Sequence, residues 1–154
     1  MMYEDVIRDF ARRTKANLAA IDRLRADGHE VYEVTQLINS MLGLLVFPQQ
    51  KFYDQIPETP LEQLRLEGWP VPEVRGRFEQ VTDLRQLLRY LRNAIAHFNV
   101  KFLGDGDGQG PIRVLRVWNV DPRKNVTTWE AELSTDDLRG IAERFIKLLE
   151  TQKS

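Results

Sequence analysis

A chain of 154 residues has the length of one globular domain, and its 42% hydrophobic and 29% charged residues are typical of a packed protein rather than a disordered one. The absence of cysteine excludes a disulfide framework, a thiol nucleophile and any zinc site built on thiolates. The formal net charge of −1 gives no general positive field that would mark a nucleic-acid-binding protein.

The first predicted element is an amphipathic helix over residues 3–26, because apolar side chains recur there at helical spacing and Asp27-Gly28 follows. Acidic and basic residues fall every few positions in its first turns, whereas a secretory signal needs an unbroken apolar core. We therefore expect a cytoplasmic protein.

A second helix is predicted over residues 30–47, and Pro48 ends it. Its longest apolar run, residues 37–47, is too short to span a bilayer, so we expect no membrane association. The polar and small residues of this helix share one stripe: Thr35, Gln36, Asn39, Ser40 and Gly43. Either the stripe marks a close contact between helices, or Gln36 and Asn39 support a polar site on a neighbouring helix.

Five prolines between residues 48 and 72 predict a loop region that holds one short helix, at residues 61–67. A third long helix is predicted over residues 81–98. At about 100° per residue, one arc of this helix is apolar; it holds Leu84, Leu87, Leu88, Leu91, Ala94, Ile95 and Phe98. The opposite arc holds Arg85, Arg89, Arg92, Asn93, Ala96 and His97.

A glycine-rich connection at residues 104–111 precedes two β-rich runs, residues 112–120 and 126–133, which predict an antiparallel hairpin. Ser134 or Thr135 is expected to cap a last amphipathic helix. The predicted fold is therefore mainly α, an antiparallel helix bundle with a small antiparallel β-hairpin before the last helix, in a single domain over residues 1–154.

The sequence Arg92-Asn93-Ala94-Ile95-Ala96-His97 places a guanidinium, a carboxamide and an imidazole along one and a half turns of helix. This trio suits phosphodiester cleavage: His97 takes or gives a proton, Arg92 holds the phosphoryl oxygens, and Asn93 positions these two side chains. Seen alone, the six residues also fit an exposed polar face at a helix end.

RNA supplies its own nucleophile in the 2′-hydroxyl, so this chemistry needs no metal. We expect no metal and no other cofactor, since the two histidines, His29 and His97, lie far apart in sequence. A calcium-loop pattern that begins at Asp105 fails, because Arg116 stands where a bidentate glutamate is required.

Arg-Asn-x-x-x-His near the end of a long helix resembles the Arg-x(4–6)-His signature of the HEPN superfamily, with Arg92, Asn93 and His97 at the matching positions. Residues 33–40 and 42–48 also resemble a branch of HEPN proteins carried on plasmids and other mobile elements. The resemblance implies a helix bundle that dimerises so that two motifs share one cleft, and metal-independent endoribonuclease activity that leaves a cyclic phosphate.

In toxins of this superfamily that a partner nucleotidyltransferase silences, the modified tyrosine stands two residues after the histidine, and here that position is Asn99. A neutralising antitoxin partner that acts by this route is therefore not expected, although an antitoxin of another kind fits the resemblance.

Two functions remain open. The first is an endoribonuclease, a toxin or antiphage effector, in which Arg85 and Arg89 add RNA-binding charge beside the catalytic Arg92, Asn93 and His97. The second is a non-catalytic RNA- or protein-binding module that uses the arginine face of the third helix. The presence of all three motif residues favours the first, because a binding surface needs charge but no imidazole.

Overall fold

The computed structural model describes residues 3–46, 48, 50–76, 78, 81–104 and 112–151. The long helices form where the apolar spacing predicts them. The helical elements are α1 (Tyr3–Ala26), α2 (Glu33–Met41), a π-helical segment (Leu42–Val46), α3 (Gln50–Tyr53), α4 (Leu61–Leu66), α5 (Leu84–Ala96) and α6 (Thr135–Thr151). The bounds of α1 confirm the prediction, while α2 begins three residues later than predicted and continues into the π-helical segment.

Four antiparallel strands form one sheet in the order β1-β4-β3-β2. The strands are β1 (Glu73–Val74), β2 (Val100–Gly104), β3 (Ile112–Asp121) and β4 (Val126–Ser134). The two predicted β-rich runs are β3 and β4, which pair with each other in antiparallel fashion before the last helix, and the unpredicted strands β1 and β2 extend this pair to a sheet of four. Strand β1 is too short to show a pattern, and β2 lies between the predicted end of the third helix and the glycine-rich connection, where no element was predicted. The predicted glycine-rich connection lies outside the described residues from position 105 to 111.

Helix α5 is two to three residues shorter at each end than predicted. Asp83 caps its start by accepting a hydrogen bond from the Gln86 backbone N–H at 2.9 Å, and His97 is the C-cap residue. Six members of the predicted apolar arc are buried: Leu84, Leu87, Leu88, Leu91, Ala94 and Ile95. The seventh, Phe98, was predicted in the core and is instead 66% exposed, because the helix ends before it.

The core takes side chains from all the long helices and from the inward faces of β3 and β4. Helix α5 contacts both β3 and the π-helical segment, so its buried arc fixes the rotation of the helix and thereby the direction of its polar arc. Ser134 caps α6 as expected: its Oγ accepts from the Asp137 N–H at 3.0 Å, and the Asp137 carboxylate accepts from the Ser134 N–H at 3.4 Å.

Arg139 of α6 fastens three helices together. Its guanidinium pairs with Asp22 of α1 at 2.6 Å and with Glu33 at the start of α2 at 3.2 Å. The hydrogen bonds from Arg139 hold the pKa of the Asp22 carboxyl below its usual value. These ion pairs therefore hold α1 and the start of α2 against α6.

Gly43 permits a close approach between α1 and the π-helical segment. A Cβ atom added at Gly43 would overlap the edge of the Phe10 ring. The helix contact through a small residue, one of the two interpretations of the polar stripe, is thus present at this position.

We expect Gly43→Ala to lower the free energy of unfolding by about 1–2 kcal/mol, because overpacking against Phe10 outweighs the gain of up to ~1 kcal/mol in helix propensity. Urea denaturation measures the change, with Asn17→Ala on the exposed face of α1 as a control that should not destabilise. Adding Phe10→Leu should restore part of the loss. A stabilised Gly43→Ala protein would contradict the contact.

Candidate active site

The motif lies where α5 stops, and the backbone shows why it stops there. The Phe98 N–H donates to the Ile95 carbonyl at 3.1 Å, and the Asn99 N–H donates to the Ala94 carbonyl at 2.7 Å. These two bonds form a Schellman closure around the C-cap His97. Arg92 and Asn93 are therefore on the last turn of the helix, while the imidazole of His97 is exposed at its end.

Phe98 occupies the left-handed position of this closure, with φ of +55°. Glycine usually fills such a position, because a Cβ atom crowds the backbone there. A bulky, exposed residue in this conformation is a strained feature, and strained residues are concentrated at functional sites. Sequence reasoning missed it, since a helical wheel assumes that the helix continues.

The guanidinium of Arg92 lies over the ring of Tyr53, with its central carbon 5.1 Å from the ring centroid. Tyr53 is fully buried and donates its hydroxyl hydrogen to the Leu45 carbonyl of the π-helical segment. Burial raises the pKa of the Tyr53 phenol well above its ordinary value, so the ring stays neutral under the cation. A guanidinium held over an aromatic ring still has N–H groups that can bind phosphate oxygens.

Asn93 is held by the sheet. Its Nδ2 donates to Asn119 Oδ1 of β3 at 3.1 Å, and Asn119 Nδ2 donates to Thr128 Oγ1 of β4 at 2.8 Å. Sequence reasoning missed Asn119 and Thr128. The available signal was strand alternation, because Asn119 lies on the same face of β3 as the buried Leu115 and Val117.

Arg85, expected to bind RNA, is bonded within the protein. Its guanidinium donates to the carbonyls of Ile56 and Asp54 at 2.8 and 2.9 Å and pairs with Glu58 at 2.8 Å. Arg89 lies 3.7 Å from the Asp54 carboxylate, and its Nε atom is buried with no hydrogen-bond partner among the described residues. Arg85 therefore anchors residues 54–58 to α5. RNA contact by either arginine stays a prediction.

Gln36 and Asn39 were the expected supporting polar residues. Gln36 donates to Ser40 in its own helix at 3.4 Å, and Asn39 is exposed. Within the part of the chain that the structure describes, no hydrogen bond joins either side chain to Arg92, Asn93 or His97. The structure thus brings the three motif residues together at one helix end and leaves these two apart from them.

Asn99 links the end of α5 to the sheet through its backbone. Its carbonyl accepts a hydrogen bond from the Trp118 N–H of β3 at 3.2 Å, while its own N–H closes the helix. The position of His97 is therefore fixed from both sides, by the helix before it and by the sheet after it.

No three His, Asp or Glu side chains among the described residues are grouped in a way that could hold a metal ion. In the same residues, every helix is either too short or too polar to cross a lipid bilayer.

We expect Phe98→Gly to raise the free energy of unfolding by about 1 kcal/mol, because glycine adopts the left-handed conformation without steric cost and little ring burial is lost. Urea denaturation gives the comparison. Phe98→Ala is the matched control: it removes the ring but keeps the Cβ atom, so it should bring no such gain. If both variants stabilise equally, the effect belongs to the exposed ring and not to backbone strain.

The sequence profile of the family described as HEPN pEK499 p136 matches residues 1–154. Comparisons with curated proteins and with solved structures gave no match. The profile spans both the helix with the Arg-Asn-x-x-x-His motif and the sheet that holds it. This chain therefore belongs to the HEPN superfamily, in the family HEPN pEK499 p136.

Proposed function

We propose that this protein is a metal-independent endoribonuclease with Arg92, Asn93 and His97 as its catalytic residues. The observation that carries the proposal is their common placement at the end of α5, with Arg92 stacked on Tyr53, Asn93 bonded to Asn119, and His97 exposed. Membership of the HEPN superfamily suggests a nuclease or an RNA-binding module. An arginine and an asparagine held in place beside an accessible imidazole favour the nuclease.

In the proposed reaction, the 2′-oxygen of a ribose attacks the adjacent phosphorus while the bond from phosphorus to the 5′-oxygen of the next nucleotide breaks. The products are a 2′,3′-cyclic phosphate and a free 5′-hydroxyl. The proton leaves the 2′-hydroxyl for a base, and an acid protonates the departing 5′-oxygen. His97 supplies one of these groups, Arg92 stabilises the charge on the non-bridging oxygens, and Asn93 positions these two side chains.

One motif offers one imidazole, whereas the reaction benefits from a base and an acid on opposite sides of phosphorus. A second copy of the chain, related by a two-fold axis, would supply the other His97. We therefore propose a homodimer with the ends of the two α5 helices facing a common cleft. The exposed position of His97 at a helix end supports this arrangement, because no part of the described protomer covers it.

The biological role we propose is that of a toxin or an antiphage effector, which follows the resemblance to HEPN proteins of plasmids and other mobile elements. The alternative, a non-catalytic RNA-binding module, predicts binding without cleavage. Incubating purified protein with structured RNA and measuring both binding and cleavage distinguishes the two functions.

We expect structured RNA to be cleaved in excess chelator, with cyclic phosphate at the new 3′ ends. His97→Ala should slow cleavage by about 10²–10⁴-fold, as expected for loss of general acid–base catalysis. Arg92→Ala should slow it by about 10²–10³-fold, as expected for loss of a charge-stabilising donor. Single-turnover rates and mass spectrometry of the fragments provide the measurements.

The matched controls are His29→Ala in the loop after α1 and Arg65→Ala on α4, both at exposed positions away from the motif. Both should cleave like the wild type. Cleavage that depends on added divalent metal, or that survives both motif substitutions, would refute the assignment. Binding of RNA without cleavage would establish the non-catalytic alternative.

The shared cleft predicts how activity falls when wild-type protein is mixed with His97→Ala protein and allowed to exchange subunits. If both imidazoles of a dimer are needed, an equal mixture keeps about one quarter of the activity, because only that fraction of dimers carries two wild-type chains. Independent sites would keep about half under the same pairing. Mixing with His29→Ala is the control and should cause no loss. Sedimentation that shows a fully active monomer would eliminate the composite site.

A further inference from the structure

A cavity of about 380 Å³ opens beside the motif, between α5 and the turn that joins β3 to β4. Tyr90 and Asn93 line it from the helix, Asn119 and Thr128 from the strands, and Arg123 from the turn. Asn93 belongs to both the motif and the cavity. An occupant of the cavity would therefore contact one residue of the motif.

Asn119 is the unusual residue of this cavity. The inward positions of β3 before it are Leu115 and Val117, and an amide that follows them at 8% exposure is costly unless it is hydrogen-bonded. Asn119 accepts from Asn93 and donates to Thr128, so it joins the helix to β4. The pairing register of β3 and β4 shifts between Asn119 and Val120, which is a local irregularity of the kind found near binding sites.

The hydrogen bonds that join Asn93, Asn119 and Thr128 do not use all the donors and acceptors of these three side chains. Asn93 uses one N–H on Asn119, which leaves its second N–H and its carbonyl oxygen. Thr128 accepts from Asn119, and its own O–H still has to donate. The cavity thus offers donors and acceptors of both kinds in fixed positions, which is what the edge of a nucleobase requires.

The remaining walls suit the same ligand. Tyr90 packs on the buried Trp129, with ring centroids 5.6 Å apart, and presents an aromatic surface to the cavity. Arg123 is exposed on the turn and brings positive charge to the mouth, where a phosphate would lie. Asp121 also lines the cavity, and its Oδ1 atom accepts hydrogen bonds from the backbone N–H groups of Arg123 and Lys124, at 2.8 and 3.3 Å.

We infer that this cavity binds the base of the ribonucleotide next to the scissile phosphate, and that Asn119 and Thr128 give cleavage a base preference. The inference rests on the proposed ribonuclease function and adds a binding site for the base, which the motif residues do not contact in the proposed reaction. The ligand of this cavity is a ribonucleotide, either within RNA or free.

The first test is the cleavage profile on a randomised RNA pool, read by sequencing of the fragment ends. Wild-type protein should show a preference at the nucleotide beside the cut. Thr128→Val keeps the shape of the side chain and removes its hydroxyl, and it should reduce that preference by about tenfold, the worth of one hydrogen bond. Arg123→Ala should raise KM with less effect on kcat.

Thr127→Val is the matched control, because it makes the same change of side chain next to Thr128 at a residue that does not line the cavity. Its profile should equal that of the wild type. An unchanged profile in Thr128→Val and Asn119→Asp, with both variants folded by circular dichroism, would overturn the inference.

The second test uses no cleavage and so separates this inference from the proposed function. Saturation-transfer NMR is recorded with each of the four ribonucleoside 5′-monophosphates, on wild type and Thr128→Val, and is repeated with inorganic phosphate added as a competitor. Base protons should receive saturation from wild type and lose it in the variant. If RNA is never cleaved but this pattern holds, the nuclease proposal fails and base binding stands. If inorganic phosphate displaces all four nucleotides equally, or if free nucleotides bind while the cleavage profile stays flat, the assignment is overturned.

Discussion

The contact between the Arg92 guanidinium and the Tyr53 ring connects the core of this protein to the proposed catalytic motif. The Tyr53 hydroxyl satisfies the Leu45 carbonyl of the π-helical segment, whose backbone bonding departs from the α-helical pattern. The same side chain meets Phe52 edge to face at 6.2 Å, and Phe52 meets Phe145 of α6 at 6.1 Å. The arginine of the motif therefore lies on a ring that three structural elements hold in place.

The helix and the sheet make different contributions to the site. The end of α5 supplies the charged and titratable groups, whereas β3 and β4 supply neutral amide and hydroxyl groups that reach Asn93 from the other side. Neutral partners orient an amide without adding charge that would compete with a phosphate. Strand β3, which carries Asn119, lies between β4 and β2 and so has a neighbouring strand on both edges.

Local signals in the sequence predicted the elements whose cause is local. The periodicity of α1, the Ser134 cap and six buried positions of α5 follow from spacing and from short-range hydrogen bonds. The end of α5 was not predicted, because Phe98 occupies the left-handed position where a glycine would have indicated a helix end. Tyr53 and Asn119 escaped for another reason: their roles arise from contacts with residues 39 and 26 positions away, which no spacing rule reports.

The attachment of α5 to β3 at Asn99 uses only main-chain atoms, an N–H to Ala94 and a carbonyl to Trp118. Any residue other than proline at this position keeps both bonds, so its side chain carries no structural duty in them. Position 99 is thus a point two residues from the histidine where the side chain is replaceable while the geometry of the motif is retained. A substitution there would change the chemistry of the surface next to His97 while leaving both main-chain bonds in place.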